Sequence, residues 1–135
     1  MKSKVVISGS VSLWKRLLYW KEYWEKRKCE VLDYPRPITS NELLKEYPAV
    51  YENFYKNITQ TEILFVANEN KGEVQGYIGS ATFAEIAFAI AQNIIYGKKI
   101  KILLLQEPSS KVSGYDEIML WSKLGRIEIL NLFAL

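Results

Sequence analysis

A chain of 135 residues, 49% apolar and 24% charged, is long enough for one packed domain and too short for two of ordinary size. It contains no histidine, the side chain that most often serves as a general base near neutral pH and as a metal ligand. The single cysteine, Cys29, excludes an internal disulfide, and we interpret it as a buried structural thiol rather than a reactive one. Residues 1–135 are therefore expected to form one domain whose chemistry depends on carboxylates, hydroxyls, Tyr and Lys.

The formal net charge of +3 is unevenly spread, because residues 2–28 hold eight Lys and Arg side chains against two Glu. This asymmetry favours an anionic ligand. No segment approaches the roughly 20 consecutive apolar residues of a membrane span, and the apolar run at the N-terminus is too short for a signal peptide. We expect a cytoplasmic protein that does not contact a membrane.

Apolar runs alternate with helical periodicities along the chain. The runs that predict strands are 4–8, 30–34, 62–67, 100–105 and 126–132. Helical patterns occupy 13–28, 39–47, 49–60, 83–96 and 115–124. This order predicts a three-layer α/β sandwich with a five-stranded, mostly parallel sheet, flavodoxin-like or Rossmann-like, and right-handed crossovers.

Local signals refine three of the helices. Thr39-Ser40-Asn41-Glu42 is expected to cap a short helix, and Pro48 to separate it from a second helix whose inward side includes Val50, Phe54 and Ile58. Gly97 is expected to end the helix at 83–96 as its C-cap.

The first helical pattern is rich in aromatic and basic residues. The apolar residues Leu13, Leu17, Trp20 and Trp24 recur at helical spacing, so one side of this helix is expected to cover the sheet. Trp14, Tyr19 and their basic neighbours are also compatible with stacking on nucleic acid. The pattern is more typical of a covering helix whose extra aromatics form a subunit interface, so we do not expect a nucleic-acid partner.

The segment Gly76-Tyr77-Ile78-Gly79-Ser80-Ala81-Thr82-Phe83-Ala84-Glu85 lies where a strand is expected to give way to a helix. Proteins of the α/β class usually bind their ligands at this edge of the sheet. Glu85 is predicted in the first helical turn, where backbone amides and the helix dipole favour negative charge, so it can serve as a nucleophile or base. The spacing from Thr82 to Glu85 also matches a capping box, and the local pattern alone favours capping.

A second candidate, Gly9-Ser10-Val11-Ser12, follows the first predicted strand. Its amides and hydroxyls could bind a phosphate at the start of a helix, with Ser10 or Ser12 as N-cap. Only one glycine is present, so an ordinary strand-to-helix turn is equally compatible with the pattern.

Together, Val5-Val6-Ile7-Ser8-Gly9-Ser10, the strand at 62–67 and the segment 76–89 resemble the nucleoside 2-deoxyribosyltransferase family and its nucleotide N-glycosidase relatives. The resemblance covers residues 4–105. Its most specific part is the helix start, in which Gly79, Thr82 and Glu85 match Gly-x-x-Thr-x-x-Glu.

The resemblance implies that Glu85 attacks the anomeric carbon of a nucleoside or nucleoside 5′-monophosphate and forms a glycosyl-enzyme intermediate. It also implies a homo-oligomer, a dimer or larger, because active sites in that family are completed across subunits, and it implies no metal or organic cofactor. The residues that would line the substrate, with the two serines of the first turn on a 5′-phosphate, are Gly9, Ser10, Ser12, Gly76, Gly79, Ser80 and Thr82.

The chain departs from the family pattern at three places. Ile7 stands where the family has a tyrosine, and Thr61-Glu62 replaces an Ala-Asp pair. An aspartate expected on the helix before the third strand is also missing, and Glu52 and Asn53 are the nearest polar residues to its position. These departures leave two functions open, an N-glycosidase or deoxyribosyltransferase and a noncatalytic nucleotide-binding or structural module.

Overall fold

A computed structural model describes residues 2–38, 41 and 43–132. Its strands are β1 (Lys4–Ser8), β2 (Glu30–Asp33), β3 (Ile63–Val66), β4 (Lys101–Leu104) and β5 (Glu128–Ile129). Its helices are α1 (Trp14–Lys26), α2 (Leu43–Gln60), α3 (Ser80–Tyr96) and α4 (Tyr115–Lys123), and a short 3-10 turn over Val11–Leu13 precedes α1. No helix within these residues is both long and apolar enough to span a bilayer.

The five strands form one parallel sheet in the order β2-β1-β3-β4-β5. This confirms the predicted α/β sandwich and its five-stranded sheet. Chain order reverses between β1 and β3, so the connections after these two strands leave the sheet in opposite directions. The crevice at their carboxyl ends is where open α/β sheets bind ligands.

Side chains alternate between the two faces of β1 and thereby define the layers. Val5 and Ile7 pack with Leu17 and Trp20 of α1 on one face. Val6 packs on the other face, in the larger cluster that contains residues of α2, α3 and α4. By the same alternation Ser8, the last residue of β1, points to the face covered by α2 and α3.

The prediction of two helices around Pro48 is wrong, because α2 continues through this residue. A proline in a helix removes one amide-to-carbonyl bond. Leu44, whose carbonyl would accept that bond, is 92% exposed, so water can take the place of the missing donor. Phe54 and Ile58 are buried as predicted, but Val50 is exposed, since α2 extends beyond the sheet in its first half.

Several element boundaries also differ from expectation. The predicted capping residues Thr39, Ser40 and Glu42 lie outside the described residues. β5 has only two residues, and Cys29 is half-buried rather than buried. Gly97 does end α3 in the left-handed conformation, with φ of 64°, which confirms the predicted C-cap.

Candidate functional site

The site is formed by the end of β1 and the second turn of α3. Ser8 is completely buried, and its hydroxyl donates a hydrogen bond to Oε1 of Glu85. The contact joins residues 77 positions apart in the chain. It fixes the Glu85 carboxyl beneath α2 and α3, at the carboxyl ends of the parallel strands.

The prediction that Glu85 lies in the first turn of its helix, paired with Thr82 in a capping box, is wrong. α3 begins at Ser80, with Gly79 as its N-cap, so Thr82 lies inside the helix and is buried. Glu85 is consequently one turn too far along α3 to reach the free amides at the helix start. Its carboxyl points inward to Ser8 instead.

The surroundings of Glu85 disfavour its charged form. Burial is the main cause that raises the pKa of Glu85 to about 7; the hydrogen bond from Ser8 lowers this pKa, and the negative charge of Asp33 adds a smaller increase. A carboxyl with this pKa exchanges its proton near neutral pH. Such groups are concentrated at functional sites.

Asp33 ends β2 and is also buried. Its Oδ2 accepts a hydrogen bond from Nδ2 of Asn57 on α2 at 3.0 Å. Its Oδ1 accepts one from the Tyr34 amide at 2.9 Å and a longer one from Nη2 of Arg36 at 3.4 Å. These contacts anchor the carboxylate between the sheet edge and α2.

Tyr55 brings a phenol from α2 toward the same region. Its ring lies 4.9 Å from that of Phe88 on α3 and 4.8 Å from that of Tyr51, measured between ring centroids. Burial raises the pKa of Tyr55, and contact with Tyr51 and the charge of Glu85 raise it further. The phenol therefore remains a hydrogen-bond donor at neutral pH.

The turn after β1 packs tightly against its neighbours. A Cβ at Gly9 would lie 2.9 Å from Cδ2 of Leu17 and 3.3 Å from the carbonyl oxygen of Ala67, so a larger residue would separate β1 from α1 and β3. Ser10 occupies the N-cap position of the 3-10 turn without a side-chain capping bond. Its hydroxyl lies 2.7 Å from that of Ser12, so the predicted side-chain cap is absent from this turn.

The glycine-bearing segment before α3 lines a separate open cleft of about 730 Å³. Gly79 and Ser80 form part of its wall, together with Tyr77, Phe83, residues 111–114 before α4, and residues 116 and 117 in its first turn. Glu85 does not line this cleft. The structure therefore separates the predicted residues: Glu85 contacts Ser8 on the side of α3 that faces α2, whereas Gly79 and Ser80 lie on the side that faces α4.

The remaining predicted residues have other surroundings. Gly76 is buried with φ of 61°, and its amide donates to Oδ1 of Asn70 at 3.0 Å. Glu52 and Asn53 are exposed on α2. Within the described residues, neither of their side chains forms a hydrogen bond with Ser8, Asp33 or Glu85.

Two buried polar contacts fix the loops that follow the central strands. The side-chain amide of Asn68 donates to the Gln106 carbonyl at 2.8 Å, and that of Gln106 donates back to the Asn68 carbonyl at 2.9 Å, which joins the ends of β3 and β4. Glu69 accepts a bond of 2.7 Å from Nε1 of Trp20 and one of 3.0 Å from Nε of Arg16. The loop after β3 is thereby tied to α1.

The sequence pattern predicted Glu85 but not Ser8, which donates a hydrogen bond to it, nor the nearby Asp33 with its partner Asn57, nor Tyr55. The available signal was the position of Ser8 and Asp33, since each is a polar residue that ends a short strand. Among residues 2–38, 41 and 43–132 there is no group of three or more Cys, Asp or Glu side chains placed to hold a metal ion.

Comparison of the chain with models of known protein families and with curated proteins finds no match.

Proposed function

We propose that this protein cleaves or transfers the N-glycosidic bond of a nucleoside or nucleoside 5′-monophosphate, with Glu85 as the nucleophile. The supporting observation is the half-buried Glu85 carboxyl, which accepts a hydrogen bond from the buried Ser8 at the carboxyl ends of the central strands. This is the edge at which α/β sheets bind small molecules. Similarity of the segment 76–89 to the nucleoside 2-deoxyribosyltransferase helix start supports the same role.

The chemistry requires Glu85 to be ionised and oriented. Ser8 donates to Oε1, which leaves Oε2 to bond to the anomeric carbon of the substrate. The glycosidic bond breaks, its electron pair remains on the base nitrogen, and the base takes a proton from solvent. The resembled family has a tyrosine at the position of Ile7. In this chain the neighbouring Ser8 would supply the hydroxyl group instead.

The test is release of free base from a panel of ribonucleosides, deoxyribonucleosides and their 5′-monophosphates, measured by chromatography. Glu85→Gln keeps the size and the acceptor for Ser8 but removes the nucleophile, so we expect release to fall by about 1,000-fold or more. Glu73→Gln, in an exposed loop, is the matched control and should release base at the wild-type rate. Equal release by Glu85→Gln and wild type would overturn the role of Glu85.

A noncatalytic nucleotide-binding module is the second candidate. The observation in its favour is that the large cleft includes Gly79 and Ser80 but not Glu85. It predicts saturable binding of a nucleotide in calorimetric titration, without turnover and without dependence on Glu85. Ser80→Arg, which fills the cleft wall, should abolish this binding, whereas undiminished binding by Ser80→Arg would contradict it.

We also propose that the chain assembles as a homo-oligomer, a dimer or larger. The Trp-rich helix contributes less surface than expected, because Trp20 and Trp24 pack on Phe65 within the chain, with centroid separations of 5.2 and 5.3 Å. The exposed apolar surface lies instead on the first half of α2, where Leu44 is 92% exposed and Tyr51 44%. Light scattering should give a multimeric mass that Leu44→Lys lowers and Leu124→Lys, on an exposed residue after α4, does not.

A further inference from the structure

An irregularity between β1 and β2 determines which face of the sheet Asp33 occupies. Val5 pairs with Val31, but the next residue of β1, Val6, pairs with Asp33, so Leu32 is an extra residue in β2. Regular pairing would match Val6 with Leu32 and turn Asp33 toward α1. A bulge of this kind re-aims a side chain, and bulges are common beside active sites.

The contacts of the neighbouring residues confirm the effect of the bulge. Val31 packs in the cluster under α1, whereas Leu32 packs in the cluster under α2 and α3. Asp33 also faces α2, because its Oδ2 accepts the hydrogen bond from Asn57. Two successive side chains of β2 therefore point to the face on which Ser8 meets Glu85.

The register also places Asp33 close to Glu85. Asp33 lies opposite Val6, and Ser8 is two residues further along β1. With strands 4.8 Å apart and a rise of 3.3 Å per residue, the Cα atoms of Asp33 and Ser8 are separated by about 8 Å. The carboxyl of Glu85 touches Ser8 and is influenced by the charge of Asp33. Glycosidases that form a glycosyl-enzyme likewise use two neighbouring carboxyl groups, one as the nucleophile and the other as the acid and base.

We infer that Asp33 is the second catalytic carboxylate of this site and acts as the general base that activates water for hydrolysis of the glycosyl-enzyme. The inference rests on the proposed role of Glu85 as nucleophile. In this step Asp33 takes a proton from water while the water oxygen bonds to the anomeric carbon. The bond from that carbon to Oε2 of Glu85 breaks, its electron pair returns to the carboxylate, and Asp33 then gives its proton to solvent.

The experiment compares single-turnover base release with recovery of free enzyme, followed by mass spectrometry of the intact protein. Asp33→Asn retains the size of the side chain but loses the base, so the glycosyl-enzyme should form and then persist. We expect its hydrolysis to slow by about 100-fold or more, the usual contribution of a general base. Azide, an anion that needs no deprotonation to attack, should restore turnover, whereas Glu30→Gln at the other end of β2 should behave as wild type.

An exchange variant separates chemistry from folding. Asp33→Asn combined with Asn57→Asp keeps an amide-to-carboxylate hydrogen bond between β2 and α2 but moves the carboxylate to the helix. If Asp33 is the base, the exchange variant also accumulates the glycosyl-enzyme and responds to azide. Wild-type turnover by the exchange variant, or slow turnover without either adduct or azide rescue in the folded Asp33→Asn protein, would overturn the inference. Failure of the proposed function is distinguishable, since wild type itself would then release no base.

Discussion

The raised pKa of Glu85 predicts how the stability of the protein depends on pH. The folded state holds a proton on Glu85 up to a pH of about 7, whereas an unfolded glutamate loses it near 4.5. Well below pH 4.5 the residue is protonated in both states and does not change the free energy of unfolding. As the pH rises from 4.5 to 7, the unfolded state ionises first, so the free energy of unfolding falls over this window.

The magnitude follows from the two pKa values. At about 1.4 kcal/mol per pKa unit, a change from 4.5 to about 7 corresponds to about 3 kcal/mol of lost stability at pH 8. Glu85→Gln carries no charge and can still accept the hydrogen bond from Ser8. We therefore expect Glu85→Gln to unfold with nearly the same free energy as wild type at pH 4.5 and with up to about 3 kcal/mol more at pH 8.

Urea denaturation at the two pH values, followed by tryptophan fluorescence, to which the buried Trp20 contributes, measures this difference. Glu52→Gln, an exposed residue of α2, serves as the control because it removes a carboxylate without altering the site. A stability difference between wild type and Glu85→Gln that is the same at both pH values would refute the reasoning. So would a loss of stability in Glu85→Gln at pH 8, since burial of the charge would then not be the dominant effect.

Three further predictions test the chemistry and the packing. Base release by wild type should increase as the pH rises through about 7, because Glu85 attacks only when ionised, and a rate that is flat between pH 5 and 8 would contradict this. Gly76→Ala should unfold at a lower urea concentration than Gly72→Ala. Both glycines have positive φ, but a Cβ at Gly76 would lie 2.8 Å from the Glu107 carbonyl oxygen, whereas a Cβ at Gly72 would meet no atom within 4 Å. Ile58→Ala, in the core beneath α2, should lower the free energy of unfolding by about 2–5 kcal/mol in the same assay, and a loss below 1 kcal/mol would indicate that α2 does not pack as described.

The layers of the fold were predictable because they depend on patterns that repeat within a few residues. Apolar runs marked all five strands, and the alternation with helices indicated a parallel sheet. The continuation of α2 through Pro48 was not predictable in the same way. Its cost depends on whether the carbonyl of Leu44 is exposed to water, which only the assembled structure determines.

The position of Glu85 in its helix was misjudged for a local reason. Gly79-Ser80 and Thr82 are both acceptable helix starts, and the Thr-x-x-Glu spacing favoured the second. The structure uses the first, which moves Glu85 into the second turn and rotates its carboxyl toward β1. A difference of three residues in the helix start thus decides whether this glutamate caps a helix or faces Ser8.

The partners of Glu85 were unpredictable because they come from distant elements and, for Asp33, from an irregular one. Strict alternation in Glu30-Val31-Leu32-Asp33 places Asp33 on the same face as Val31, under α1, and so away from Glu85. The bulge turns Asp33 to the opposite face, and no glycine or proline within Glu30–Asp33 indicates that a bulge is present. Two of the three departures from the pattern that the chain resembles therefore have a common physical explanation in the proposed mechanism. Ser8 provides a hydroxyl one position beyond Ile7, and Asp33 provides from β2 the carboxylate that the resemblance leads one to expect on α2. Parallel strands end at one edge of a sheet, so a functional group can change its element of origin and still reach the same substrate atom. Residue-by-residue transfer from a sequence motif cannot detect such an exchange, and the test of it is the turnover of Asp33→Asn, not the number of positions that match the motif.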